Sequence, residues 1–143
     1  MSTTPAADAA PIAAPLAEQT FGPITRQTLA LFAAGSGDFN PIHLDTDFAR
    51  AAGLDDVFCH GMLSMAYLGR LLTDRFGEDR LRSFQVRFAA ITHVHDTVTC
   101  RAVLRGRIDV GGTAHLVLDL EARKQDGTVT LTGEALVADA PDA

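Results

Sequence analysis

The sequence predicts an α+β domain in which one antiparallel sheet wraps around a long apolar helix. The segment from Gly61 to Phe76 places its apolar residues at helical spacing, and the glycine at 77 ends it. From Leu81 onward the apolar residues alternate with a period of two, in four successive segments typical of strands. A long helix followed by consecutive antiparallel strands indicates an α+β domain.

The length and composition of the chain favour one domain. The chain has 143 residues, of which 47% are hydrophobic, so it is long enough for one core and too short for two. We expect a flexible N-terminal tail over residues 1–17, a single domain over residues 18–138 and a C-terminal tail over residues 139–143. The net charge of −6 argues against nucleic-acid binding, which needs a basic face.

The N-terminal segment gives the expected compartment. Met1 to Ala17 is rich in alanine and interrupted by three prolines, and no basic residue precedes Arg26, unlike a signal or transit peptide. No apolar run approaches membrane-spanning length. Cys59 and Cys100 are too few for a disulfide scaffold, so we expect free thiols in a reducing compartment. These features predict a cytoplasmic protein with no membrane contact.

The elements before the central helix are short. We expect a strand over Glu18 to Ile24, and then a helix over Arg26 to Ala34 that Thr25 caps and Gly35 ends. A second short helix should begin at Asp45 or Thr46 and close at the glycine at 53.

The elements after the central helix are strands. Gly111-Gly112 and Asp126-Gly127 mark the turns between them. The predicted strands are Leu81 to Phe88, Thr97 to Arg107, Ala114 to Gln125 and Thr128 to Ala138. With the first short strand they make a five-stranded sheet.

The loop from Gly37 to His43 carries the candidate chemistry. Pro41 lacks an amide donor and disfavours helical angles at Asn40, so a turn is expected there. On such an arc Asp38 and His43 could aim a carboxylate and an imidazole at one water molecule. Alternatively, Asp38 caps the next helix and His43 is a hydrogen-bonded core histidine.

A second stretch supports the first. Val57 to Ser64 places Gly61 at the start of the long apolar helix, where unpaired N–H groups and a partial positive charge are expected. A developing oxyanion would be stabilised at that position. His60 and Cys59 precede this glycine; we interpret His60 as a loop-fixing or capping residue and Cys59 as a packed, unreactive thiol.

These stretches resemble the MaoC-like family of hot-dog-fold hydratases, which includes R-specific enoyl-CoA hydratases and 3-hydroxyacyl-ACP dehydratases. The resemblance rests on the string SGDFNPIHLD, from Ser36 to Asp45, and on His60-Gly61-Met62. It extends more loosely from Phe21 to Val137. The chain departs from the family pattern at Ile91 and His95-Asp96, where a proline and then a Gly-Asp are usual, and at Phe58-Cys59, where small or aliphatic residues are usual.

The resemblance implies the hot-dog fold and the roles of four residues. Asp38 and His43 would hold and deprotonate a water molecule that attacks the β-carbon of a trans-2-enoyl thioester, and Asp38 would return a proton to the α-carbon. Asn40 would fix that water or Asp38, and the Gly61 amide would bond the thioester oxygen. The reaction needs no metal or redox cofactor; CoA or acyl-carrier protein enters as part of the substrate.

Other interpretations stay open. The same fold hosts acyl-thioesterases, and some MaoC-like chains act as non-catalytic acyl-binding subunits beside a different chain. His93 and His95 have the spacing of an H-x-H metal pair, although surface histidines at a strand entrance are the simpler interpretation. A lone five-stranded sheet leaves an edge to be covered, which predicts a homodimer whose sheets join edge to edge.

Overall fold

A computed structural model describes residues 14–139 of the chain. Its elements are β1 (Ala17–Phe21), α1 (Arg26–Ser36), α2 (Thr46–Ala51), α3 (Gly61–Phe76), β2 (Leu81–Phe88), β3 (Val98–Val110), β4 (Thr113–Lys124) and β5 (Val129–Ala138), with short 3-10 turns at Pro41–His43 and Glu78–Arg80. The predicted bounds of α3 and β2 are confirmed. Most of the predicted tails, at residues 1–13 and 140–143, lies outside the described residues.

The five strands form one antiparallel sheet in the order β1-β3-β4-β5-β2. The predicted hot-dog fold is confirmed, with α3 packed against one face of this sheet. The order leaves β1 and β2 as the two edge strands. Leu16 and Asp139, just outside the strands, also donate their backbone amides to neighbouring strands, at Ala102 and Ala114. The hydrogen-bonded sheet thus extends to both of the predicted tail boundaries.

The core lies between α3 and the concave face of the sheet. Leu68 and Leu72 of α3 are fully buried against alternate residues of the strands. The buried strand residues include Cys100, Ala102, Leu118, Leu120, Ala122, Leu131 and Ala135. Each buried leucine contributes about 2 kcal/mol through removal of its apolar surface from water. This packing fixes the position of α3, and therefore of Gly61 at its first turn.

α1 begins at the predicted cap and ends later than predicted. The Thr25 hydroxyl accepts from the Thr28 amide at 3.0 Å, which completes a capping box. The predicted end at Gly35 is wrong: the helix continues to Ser36, and Gly37 closes it with a φ of 79° while donating to Ala33. Closure needs the left-handed conformation, which Gly37 adopts, whereas Gly35 costs only about 1 kcal/mol inside a helix.

Two smaller strand boundaries also differ from the prediction, whereas α2 begins at one of the two predicted positions. β1 ends at Phe21 and not at Ile24, because Gly22 has a φ of 106° and Pro23 has no amide for the ladder. Asp45 is the cap of α2, and its carboxylate accepts from two amides of the first turn. β3 continues to Val110, where the predicted Gly-Gly turn begins. Within residues 14–139, no helix is long and apolar enough to cross a membrane.

Candidate active site

The loop between α1 and α2 is folded by its own side chains. The Asn40 amide donates to the Asp38 carboxylate at 3.2 Å, and the Ile42 amide donates to the Asn40 side-chain oxygen at 3.1 Å. Asn40 has extended angles and caps the 3-10 turn that begins at Pro41, so the predicted turn is present. The sequence Asp-x-Asn-Pro therefore folds as two successive side-chain turns. Asn40 contacts Asp38 through its backbone and not through its side chain.

His43 is oriented by a main-chain carbonyl. Its Nδ1 lies 2.7 Å from the oxygen of Phe58, and because a carbonyl only accepts, Nδ1 carries the proton. The lone pair of the neutral ring is then on Nε2. The ring of Phe58 also meets His43 edge-on, with ring centres 4.9 Å apart. His43 is thus held in one orientation, with Nε2 as its free nitrogen.

His60 is buried behind this loop. It is only 1% exposed, and its ring stacks on that of His43 with centres 4.0 Å apart and an interplanar angle of 27°. Its Nε2 lies 3.1 Å from the backbone oxygen of Asp38 and therefore donates to it. Burial lowers the pKa of His60 below its ordinary value, and the nearby His43 acts in the same direction. His60 is therefore neutral at neutral pH.

The three polar side chains come together at one place. A carboxylate oxygen of Asp38 and one ring nitrogen from each of His43 and His60 all lie within 4.8 Å of one another. Asp38 is exposed and His43 is partly buried, so the cluster faces the outside on the Asp38 side and the protein interior on the His60 side. The predicted approach of Asp38 to His43 is present, with the Asp38 side chain exposed to solvent.

This cluster does not suit a metal ion. Nitrogen ligands bind along the plane of the imidazole ring, whereas the rings of His43 and His60 are stacked nearly parallel, so their lone pairs do not converge. The arrangement suits a water molecule held between a carboxylate and an imidazole nitrogen.

Gly61 begins α3 as predicted, directly after His60. Within residues 14–139, no side chain caps this helix. The Leu63 amide donates to the His60 oxygen at 3.0 Å, so the amides of Gly61 and Met62 are the ones left without an intrahelical acceptor. A Cβ at Gly61 would lie 2.9 Å from the ring of Phe88, at the end of edge strand β2. Gly61 is therefore the residue that lets the Phe88 ring rest against the start of the helix, a contact that the sequence did not suggest.

Two cavities flank the start of α3. One, of about 460 Å³, has Asp38 at one end and is otherwise mostly apolar. It is lined by Phe32, Ser36, Asp38, Met62, Met65, Ala66, Gly69 and Phe84. The other, of about 330 Å³, lies beside Gly61 and Phe88, and His60, Ser64 and Ala89 to Thr92 form other parts of its wall. The polar cluster thus has an apolar groove on one side and a smaller pocket on the other.

Cys59 is packed, as predicted. The thiol is buried beside His60, and burial raises its pKa to about 12, so it is protonated and unreactive at neutral pH. Cys100 is likewise buried and free, in the sheet. Neither sulfur is a nucleophile in this fold.

His93 forms an isolated β-bridge with Phe58 and His95 lies in the turn that follows, so they do not form the H-x-H pair of a shared strand face. His93 Nδ1 lies 3.2 Å from the Lys124 ammonium, which itself pairs with the buried Asp96 carboxylate at 2.7 Å. Burial alone would raise the pKa of Asp96, but hydrogen bonds from Lys124 and Gln125 outweigh it and lower the pKa. The ion pair between Lys124 and Asp96 therefore links the turn to the end of β4.

Sequence reasoning missed two features of the site. The Phe58 carbonyl orients His43, yet a backbone oxygen has no signature in the sequence. His60 fixes the loop, as interpreted, but does so through Asp38 and His43 and makes no side-chain cap on α3. The position of His60 next to Gly61 in the sequence was the only indication of this role.

Comparisons with known proteins agree with this architecture. The family described as "MaoC like domain" matches residues 8–125. The fatty acid synthase subunit beta of Saccharomyces cerevisiae is 33% identical over 117 residues, which are 78% of this chain and 5% of that protein. The enoyl-CoA hydratase ChsH3 of Mycobacterium tuberculosis is 29% identical over 104 residues, or 71% of this chain and 34% of that one. The chain thus spans only a small part of these curated relatives.

A solved structure gives the same result at the level of the fold. The (R)-hydratase from A. caviae involved in PHA biosynthesis superposes with a TM-score of 0.76 at 26% sequence identity. The alignment covers 90% of this chain and 98% of that one.

Proposed function

The chain belongs to the MaoC-like family of hydratases and dehydratases, and we propose that it adds water to trans-2-enoyl thioesters to give (R)-3-hydroxyacyl thioesters, or catalyses the reverse dehydration. One observation carries the proposal. The Asp38 carboxylate and a His43 ring nitrogen lie within 4.8 Å of each other, and Asp38 lines an apolar groove. A carboxylate and an imidazole at this separation are suited to holding and deprotonating one water.

His43 and Asp38 divide the proton transfers. The free Nε2 of His43 accepts hydrogen from the water, and the carboxylate of Asp38 orients the same water for attack on the β-carbon. Addition of hydroxide to the β-carbon leaves an enolate. The proton held by His43 passes to the Asp38 carboxylate and from there to the α-carbon, so both side chains return to their starting states. Asn40 keeps the Asp38 carboxylate in place through its backbone amide. The reverse sequence expels water from a 3-hydroxyacyl thioester.

Gly61 stabilises the enolate. Its amide is at the first position of α3, a 16-residue helix whose axis dipole places partial positive charge there. The thioester oxygen gains negative charge as the enolate develops, and an aligned N–H donor of this kind contributes about 10² to 10³ in rate. Because no side chain in residues 14–139 caps the helix, this donor is left for a ligand.

The positions that the reaction requires for the reacting atoms indicate which part of the substrate each cavity would hold. The β-carbon must lie beside Asp38 and His43, so the acyl chain beyond it enters the groove of about 460 Å³ that Asp38 borders. The thioester carbon must lie beside Gly61, so the sulfur and its carrier arm leave along the pocket of about 330 Å³. The groove is lined by Met65, Ala66 and Phe84, which suits an alkyl chain.

The active form is a homodimer joined through β2. This strand is an edge of the sheet, with eight residues whose outer backbone groups face no strand of the described chain. Phe88, at its end, is 52% exposed and Ile91 is 44% exposed, so a partner at this edge would cover both. Sedimentation at micromolar concentration should give twice the mass of one chain. An active monomer would contradict this assembly.

A panel of enoyl-CoA substrates from short to long tests the function. Two products are measured in each reaction: 3-hydroxyacyl-CoA, resolved for stereochemistry, and free thiol. The proposal requires the (R)-hydroxy thioester with negligible thiol. Thiol without hydroxy product would make the protein a thioesterase, and turnover of no substrate in the panel, by folded protein, would favour a non-catalytic subunit.

A further inference from the structure

His60 is a fully buried polar residue beside the candidate site, and the proposed reaction gives it no step. It is 1% exposed and its ring makes three kinds of contact: a hydrogen bond to the Asp38 oxygen, a stack on His43 and an edge-on contact with Phe32. Two of these three partners are the proposed acid–base pair. A buried imidazole with such partners needs an explanation beyond packing.

We propose that His60 is a positioning residue, which donates from Nε2 to the backbone oxygen of Asp38 and provides the flat surface on which the His43 ring rests. The inference rests on the proposed function for its catalytic consequence. The geometry itself is independent of that function. His60 contacts no reacting atom; it forms part of the wall of the pocket of about 330 Å³ and acts on the chemistry through Asp38 and His43.

The hydrogen bond joins two parts of the chain that no regular element connects. Asp38 lies in an exposed loop, 22 residues before His60. Around Asp38 the loop is held by its own short-range turns, and another long-range bond, from His43 Nδ1 to the Phe58 oxygen, lies five residues further along the chain. Those turns fix the shape of the loop but not its distance from α3. The bond from His60 ties the main chain of Asp38 itself to the residue before Gly61, and so sets the distance between the water-holding carboxylate and the oxyanion donor.

The bond also fixes the tautomer of His60. With the proton on Nε2, Nδ1 is a bare acceptor, and in the described part of the chain this buried nitrogen has no hydrogen-bond partner. An unpaired acceptor costs stability, and a phenylalanine here would avoid that cost. If His60 had a purely structural role, phenylalanine would therefore be the less damaging replacement. If His60 is a positioning residue, glutamine would be the less damaging one, because its side-chain amide places a donor near the former Nε2.

Two variants separate these roles. His60→Phe keeps a flat ring and deletes the donor; His60→Gln keeps a donor and deletes the ring. We expect kcat to fall at least 10-fold in His60→Phe with KM within 3-fold of wild type, because a misplaced catalytic group slows chemistry more than binding. His60→Gln should retain at least 5-fold more kcat than His60→Phe. Equal activity of the two variants, or higher activity of His60→Phe, would overturn the proposal.

His115→Gln is the matched control. His115 is also buried, at 5% exposure, and its ring also bonds a backbone oxygen, that of Thr113, but it lies on β4 and lines neither cavity. Its kcat should stay within 2-fold of wild type. A loss as large as that of His60→Phe would mean that any buried histidine is needed for folding, and would contradict a specific role for His60.

A second measurement does not depend on activity. Nitrogen-15 shifts of the histidine rings in wild type at neutral pH report which nitrogen carries the proton. The proposal requires His60 with Nε2–H and His43 with Nδ1–H. The opposite tautomer of His60 would overturn the proposal even if the protein is a hydratase. The required tautomers in a protein that hydrates no thioester would leave the His60 geometry standing and refute only the proposed function.

Discussion

His43 and His60 are both histidines and their rings are stacked on each other, yet their surroundings differ in the features that control proton transfer. His43 is partly buried, bonded through Nδ1 and left with a free Nε2. His60 is fully buried, bonded through Nε2 and has a lowered pKa. The first ring has what a base requires, an accessible lone pair. The second has what a support requires, fixed contacts on several sides.

The difference comes from two backbone oxygens. The Phe58 carbonyl accepts a hydrogen bond from Nδ1 of His43, and the Asp38 carbonyl accepts one from Nε2 of His60. Each oxygen selects one tautomer, so the free nitrogen is Nε2 in His43 and the buried Nδ1 in His60. The chemistry of a histidine here depends on the main chain around it as much as on its own side chain.

The largest effect that separates the two rings should come from removing the base. His43→Ala deletes the lone pair that takes the proton of water, and we expect hydration to fall by about 10² to 10⁴. The loss should exceed that of His60→Gln by at least 10-fold. Steady-state kinetics with one enoyl-CoA measure both. Equal losses would mean that the two histidines share one role, which would break the distinction drawn between them.

A change at Gly61 tests whether the residue after His60 belongs to the same unit. Gly61→Ala would bring a methyl to 2.9 Å from the Phe88 ring, so the ring or the helix start must move, and turnover should fall by about 10² if the amide is displaced. Phe88→Leu makes room for that methyl. The double variant should therefore recover to within 10-fold of Phe88→Leu alone. Normal turnover by folded Gly61→Ala would remove Gly61 from the site.

The apolar groove gives a smaller effect that leaves both histidines untouched. Ala66 is exposed on α3 and lines the groove, so Ala66→Leu should fill part of it without disturbing the core. We expect the kcat/KM for a long enoyl chain to fall about 10-fold relative to a four-carbon chain, whose rate should hardly change. An equal change for all chain lengths would mean that the acyl chain lies elsewhere.

The smallest effect is on stability. His60 has a pKa below its ordinary value of 6.5 in the folded state, so the unfolded chain takes up a proton first as pH falls. Stability should therefore decrease as pH is lowered through about 6.5 and below, by at most about 1.4 kcal/mol per pH unit from this one residue. The carboxylate of Asp96, with its lowered pKa, acts only below its ordinary value of 3.8.

Thermal or urea unfolding between pH 7.5 and 5 measures this slope. His60→Phe should flatten it, whereas His115→Gln should change it less. A slope that is unchanged in His60→Phe would contradict a neutral, buried His60.

Periodicity predicted the fold well because each element has a clean signal. The Gly61–Phe76 helix and the Leu81–Phe88 strand have the predicted bounds, since a glycine or a change of period marks their ends. Errors arose where two glycines compete. Gly35 and Gly37 are equally able to close α1, and only the position of the Ala33 oxygen, a property of the folded helix, selects Gly37.

The candidate site was predictable where it is local. Asp38, Asn40 and His43 lie within six residues, and the proline between them dictates a turn. Contacts between distant segments were not predictable. The His60 bond to Asp38, the Phe58 bond to His43 and the Phe88 ring at Gly61 depend on how α3, β2 and the loop pack, which composition and period do not specify.

The central claim is that Asp38 and His43 activate one water for addition to an enoyl thioester. The most direct test compares Asp38→Asn with Asp47→Asn, an exposed aspartate on α2 that lines neither cavity. Asp38→Asn keeps the size of the side chain and deletes its charge. Hydroxyacyl-CoA formation should fall at least about 10²-fold in Asp38→Asn and stay within 2-fold in Asp47→Asn. Hydration at a wild-type rate by folded Asp38→Asn, or release of thiol in place of hydroxy product by the wild type, would contradict it.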